Sequence, residues 1–291
     1  MKTPYLLAAL LACAGVAQAD TLSKIAQSGK ITLAYRESSV PFSYILGSSH
    51  PVGMSVEVSE AVADAVRKQL KLPTLQIERL AVTSSNRIPL VVNGTVDLEC
   101  GSTTNNTARG KDVAFAINYF YTGTRLLTKK GSGVRNYADL AGKTTATTTG
   151  TTNLQVMRKY FSEKKIDTSM VYGKDHGESF LLVEGGRAAA FGMDDILLYG
   201  LRANAANPSD YEVVGDALQV EPYACMLRKD DPAFKKLVDK VIGDMMKSGE
   251  FTRLYTKWFL SPIPPKGVTL GVPMSAELKA NLKALSDKPA I

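Results

Sequence analysis

Two lobes of α/β architecture are predicted for this chain, on three observations. Strand and helix patterns alternate through most of its 291 residues. They fall into two series, and two extended segments, 113–129 and 213–226, join one series to the other. Helical patterns between strands supply the crossovers that parallel strands need, so the alternation taken alone argues for largely parallel sheets.

The elements follow in order. Residues 31–35 (ITLAY) form a β-branched and aromatic run of strand length, ended by Arg36-Glu37-Ser38-Ser39. Ser55 is placed to cap a helix whose apolar residues Val58, Val62, Val66 and Leu70 recur at helical spacing. A second strand is expected over 76–80. Ser84 or Ser85 is expected to cap a short helix with Arg87 and Pro89 in its first turn and Gly94 just past its end. Residues 96–100 make a third strand that stops at Cys100-Gly101. The second series has a strand at 144–148, a helix from Thr151, a strand at 170–172, a helix near 178–184, a strand at 188–191 and a helix from Asp194. Amphipathic helices follow over 232–246 and 250–259, then a proline-rich tail from Ser261. Beyond Gly267 that tail reads equally as a packed arm or a loose end.

Composition is that of a globular chain, 45% hydrophobic and 22% charged. The net charge of +7 favours anionic partners. Basic residues are scattered, without long runs or aromatic interleaving, which argues against a nucleic-acid surface. The first residues combine Lys2, an apolar stretch from Leu6 to Val16 and a small-x-small Ala17-Gln18-Ala19. A cleaved export signal over 1–19 is expected, placing the mature chain in the periplasm. The alternative, a lipid on Cys13 within Leu10-Leu11-Ala12-Cys13, leaves a shorter apolar core and fits less well.

After such cleavage two cysteines remain, Cys100 and Cys225. In an oxidising compartment an isolated pair is most simply one disulfide, with two buried thiols as the competing reading. No CxxC occurs and there are two histidines, so neither a metal nor a cofactor is expected. Enzyme signatures are missing too: there is no GxSxG and no HExxH, and Gly142-Lys143-Thr144 has Tyr137 where a phosphate loop needs glycine.

What remains are polar residues at strand ends, where open α/β sheets bind ligands. The stretch Val96 to Arg109, VDLECGSTTNNTAR, supplies Ser102, Thr104 and Arg109. Arg36, Ser84 and Arg87 lie at the ends of the preceding strands; Thr152, His176 and Asp194 occupy matching places in the second series. Each alone reads as a surface ion pair, a cap or a solvated loop residue. Gathered in one cleft, the arginines suit a ligand with two carboxylates and Asp194 suits an ammonium, which together describe an acidic amino acid.

At these residues the chain resembles the periplasmic amino-acid-binding proteins of ABC importers, and within them the glutamate/aspartate-binding subfamily. The matching stretches include YRESSVPFSY (35–44), TSSNRIPLVVNG (83–94), VDLECGSTTNN (96–106), KDHGESF (174–180), MDDILL (193–198), CMLRKDDP (225–232) and IPPKG (263–267). The resemblance implies a type II fold of two mixed sheets joined by two hinge crossovers, with 20–118 and 223–291 as the first lobe and 119–222 as the second. It implies α-carboxylate binding by Arg109, Thr104 and Thr152. The α-ammonium would go to Asp194 and Ser102, and the side-chain carboxylate to Arg36, Arg87 and Ser84 with His176. It also implies a Cys100–Cys225 bridge, an ABC permease as partner, a monomer, and no catalysis. Ala108 and Ala224 depart from the subfamily pattern, and neither removes a ligand group. Two other readings fit the same fold: a periplasmic dehydratase of cyclohexadienyl acids using a cleft carboxylate, and a sensing module serving a receptor.

Overall fold

The computed structural model describes residues 20–47 and 50–291. The export signal over 1–19, its cleavage after Ala19 and lipidation of Cys13 therefore lie outside the described residues. Two five-stranded sheets carry the fold. The first is built from β1 (Lys30–Tyr35), β5 (Gln76–Ala81), β6 (Leu98–Glu99), β7 (Val113–Phe115) and β15 (Met226–Arg228), in the order β5-β1-β6-β15-β7. Strand β1 pairs parallel with β5 and β6, whereas β15 is antiparallel to both β6 and β7. A small sheet of β2 (Ser38–Ser39), β3 (Ser43–Leu46) and β4 (His50–Val52) stands beside it.

The second sheet repeats the plan with β9 (Thr124–Lys129), β10 (Thr144–Thr148), β11 (Ser169–Gly173), β12 (Ala190–Asp194) and β13 (Tyr211–Val214), in the order β11-β10-β12-β9-β13. Here β9 runs antiparallel to both its neighbours. Both sheets are thus mixed, as the family resemblance implied: four strands of each run one way, in keeping with largely parallel sheets, and β15 and β9 run against them. Strand-helix alternation holds for three strands of each sheet. The antiparallel ones enter where the chain crosses between sheets without a helix.

The two crossings contain β8 (Phe120–Thr122) and β14 (Glu221–Tyr223), which pair antiparallel. An aromatic cluster packs around them: Phe120 lies 4.9 Å from Phe42 and 5.2 Å from Phe259, and Phe42 lies 5.3 Å from Tyr223, centroid to centroid. One apolar core runs through this cluster from the first sheet into the second. Cys100 and Cys225 are bonded beside it, both buried, which ties the end of β6 to the start of β15.

Helices α1 (Thr21–Ser28), α2 (Met54–Gln69), α3 (Arg87–Val92), α7 (Pro232–Ser248), α8 (Glu250–Tyr255) and α9 (Ala276–Ala284) accompany the first sheet. Helices α4 (Thr152–Lys164), α5 (His176–Glu184) and α6 (Asp195–Asn204) accompany the second. Two expected caps are corrected. Helix α2 starts at Met54, and Ser55 lies inside it, its hydroxyl donating to the Phe42 carbonyl at 2.8 Å. Helix α3 has Asn86 in the capping position, so neither Ser84 nor Ser85 caps it. The helix expected over 250–259 is α8 followed by a π turn, Thr256–Leu260. The tail is a packed arm: α9 lies against α7, and Ala290 bridges to Asn106.

Candidate functional site between the lobes

Arg36 leaves the end of β1 and is only 1% exposed. The short loop to β3 fixes it, because the Ser43 hydroxyl accepts from the Arg36 amide at 2.8 Å and donates to its carbonyl at 3.0 Å. Its Nη2 donates to Ser84 Oγ at 3.0 Å and reaches His176 Nε2, in the second lobe, at 3.4 Å. A guanidinium has no acceptor, so Nε2 accepts and the imidazole proton sits on Nδ1, facing Thr148 Oγ1 at 3.1 Å. His176 opens α5 instead of lying in the preceding loop, and Asp175 caps that helix. Burial, then the charges of Arg36 and Arg87, hold the His176 pKa well below the usual imidazole value, so the ring is neutral.

Arg87, the first residue of α3, is 2% exposed. Its Nη1 donates to the Ser102 carbonyl at 3.2 Å and to Thr103 Oγ1 at 2.5 Å, and stands 3.9 Å from Glu99 Oε1. Arg36 Nη1 and Arg87 Nε, both buried, have no hydrogen-bond partner, and neither has Glu99 Oε1. Two buried guanidinium groups thus share one buried carboxylate, which leaves one unit of excess positive charge and two unspent donors. Desolvation and the like charge of Arg87 lower the Arg36 pKa to about 9, still cationic at neutral pH.

The opposite end is acidic. Asp194 closes β12 immediately before α6, yet its side chain does not cap that helix. Asn153 Nδ2 donates to its Oδ1 at 2.8 Å, and the Tyr223 hydroxyl donates to Oδ2. Burial first and Glu221 second raise its pKa to about 8. Arg109, half-buried, donates to the Thr104 carbonyl at 2.9 Å and across to Gly150 in the second lobe at 3.3 Å. Desolvation and Arg87 lower its pKa to about 10. Ser102 Oγ donates to Ser39 Oγ at 3.1 Å. Thr104 and Thr152 face each other across the lobes at 3.2 Å.

All nine predicted site residues therefore meet where the lobes face each other: Arg36, Ser84, Arg87, Ser102, Thr104 and Arg109 from the first, Thr152, His176 and Asp194 from the second. Sequence reasoning missed Glu99 and Glu221, both fully buried. Their apolar neighbours, Leu98 and Cys100 or Val220 and Tyr223, are the one local sign, and with Asp97 two residues before Glu99 it does not single them out. Charged groups are almost never fully buried unless paired. Among the described residues no group of His, Cys, Asp or Glu is placed to hold a metal ion, and no helix is long and apolar enough to cross a membrane.

Residues 31–261 match the model of the bacterial extracellular solute-binding proteins, family 3. The chain belongs to that family. It is 49% identical to the L-glutamate/L-aspartate-binding protein of Pseudomonas aeruginosa, over 98% of this chain and 95% of that one. It is 48% identical to the glutamate/aspartate import solute-binding protein of Escherichia coli K12, over 96% and 95% of the two chains. Among solved structures, a mutant of the arginine-binding protein ArgBP from T. maritima superimposes with a TM-score of 0.71 at 25% identity, covering 81% of this chain and 98% of that one. An ancestral amino-acid-binding protein described as a precursor of cyclohexadienyl dehydratase gives 0.70 at 26%, covering 82% and 99%. These neighbours share the two-lobed type II fold.

Proposed function

We propose that this protein is an extracytoplasmic receptor that captures L-glutamate or L-aspartate between its lobes and delivers it to the permease of an ABC importer. One observation carries the reading: Arg36 and Arg87 are buried together with an unspent donor each and a single carboxylate, Glu99, to balance them. An unpaired buried donor costs about 1–3 kcal/mol, more when charged, and one carboxylate would relieve both. At the other end Arg109 is assigned the α-carboxylate, and Asp194 and Ser102 the α-ammonium. Ser84 and neutral His176 complete the side-chain subsite.

The relatives' names as glutamate/aspartate-binding proteins support the same ligand class. The fold does not decide between binder and dehydratase, because the ancestral structure relates the two. Asp194 favours the binder, since both its oxygens already accept hydrogen bonds and its remaining lone pairs suit an ammonium. In this reading the lobes are 20–118 with 223–291, and 119–222. The chain acts as a monomer in the periplasm after cleavage behind Ala19. Calorimetric titration with L-glutamate, L-aspartate, L-glutamine and L-arginine tests it: the two acids should bind tightest, and stronger binding of glutamine than glutamate would refute the dicarboxylate assignment.

A further inference from the structure

Glu221 stands on the returning crossover strand β14, outside both lobe sheets, and is fully buried. Its Oε2 accepts from Thr104 Oγ1 at 2.8 Å and from Thr152 Oγ1 at 2.7 Å, while its Oε1 accepts from Gln219 Nε2 at 2.6 Å. Thr104 belongs to the first lobe and Thr152 begins α4 in the second. One carboxylate on the crossover therefore takes one hydrogen bond from each lobe, at a place where the two hydroxyls are 3.2 Å apart.

A hydroxyl carries a single proton and two lone pairs. With both protons directed at Glu221, Thr104 and Thr152 have only acceptor capacity left for anything between the lobes. That is the wrong polarity for a carboxylate and the right one for an ammonium. We infer that Glu221 is a positioning residue: it orients the Thr104 and Thr152 hydroxyls as acceptors and joins the two lobes through them. In consequence the hydroxyls serve the cationic end of the ligand beside Asp194, and Arg109 is left to hold the α-carboxylate.

The inference rests on the acidic-amino-acid reading only for the ligand used in one of its two tests. In the first, NMR of the ligand-free wild-type protein should show two slowly exchanging threonine hydroxyl protons with cross-peaks to the Glu221 methylenes. One should vanish in Thr104→Val and the other in Thr152→Val. Hydroxyls exchanging at the free rate would overturn the inference, and this arm needs no Glu221 variant to fold.

In the second, Glu221→Gln should weaken L-glutamate binding about tenfold or more, as expected for loss of hydrogen bonds to a charged group. In a Thr104→Val/Thr152→Val background the same change should cost less than about threefold, because Glu221 acts through those hydroxyls. An undiminished loss in that background, or wild-type affinity in Glu221→Gln, would overturn it. If the wild type binds no acidic amino acid, the functional reading fails while the hydroxyl spectrum still decides the role of Glu221.

Discussion

At Arg87 the side chain does two jobs, and a truncation separates them. It offers an unspent Nε, and it holds the chain at Ser102 and Thr103 through Nη1. Arg87→Ala is expected to weaken L-glutamate about 100-fold and L-glutamine by less than about tenfold, because only the acid loses a carboxylate–guanidinium ion pair. Calorimetry on both ligands checks this; equal losses would mean that Arg87 is only a scaffold. Asp194 sets a pH dependence. Its carboxyl titrates near 8 when folded, far above its value of 3.8 in a free chain. Between these limits the folded chain holds one proton more than the unfolded, so Asp194 favours folding fully at low pH, and its contribution fades as pH rises towards 8. Ligand-free melting temperatures measured from pH 5 to 8 should show that decline, and Asp194→Asn should flatten it.

At the scale of elements, two glycines let the lobes meet. Gly150, between β10 and α4, has φ +78°, and a Cβ there would come within 2.7 Å of the Ser85 backbone in the first lobe. A Cβ on Gly200 in α6 would come within 2.4 Å of the Val40 carbonyl oxygen. Gly150→Val is therefore expected to weaken ligand binding at least tenfold by propping the lobes apart, while the melting temperature moves only a few degrees. Calorimetry with X-ray scattering would register both, and an unchanged affinity with normal closure would contradict the contact. These approaches were not legible in the sequence, where Gly150 is one glycine in a threonine-rich run. The strands and helices of both series were legible, because hydrophobic period reports local burial. The caps at Ser55 and Ser84 were misread for a tertiary reason: Phe42 and Arg36, remote in sequence, engage those hydroxyls.

Across the whole molecule, charge is sorted along the cleft, with the excess of Arg36 and Arg87 over Glu99 at one end and Arg109 together with Asp194 and Glu221 at the other. Every candidate site residue named from the sequence lies on this surface, since strand ends of the two sheets converge there. Glu99 and Glu221 escaped notice because a carboxylate in a strand declares nothing until its neighbours across the sheet are known. The Cys100–Cys225 bond spans 125 residues, including the whole second sheet. Removing it as Cys100→Ala/Cys225→Ala should lower stability by about 4–5 kcal/mol in the chain-entropy picture, less any strain released. Denaturant unfolding measures that loss, and a change below about 1 kcal/mol would show that the aromatic cluster alone holds the crossover.

The sorting of charge is tested most directly by a crystal structure of the complex with L-glutamate. The side-chain carboxylate should lie on Arg36 Nη1 and Arg87 Nε, with the α-carboxylate on Arg109 and the ammonium beside Asp194. A ligand lying in the reverse direction, or a side-chain carboxylate that leaves both of those nitrogens unpaired, would contradict the assignment.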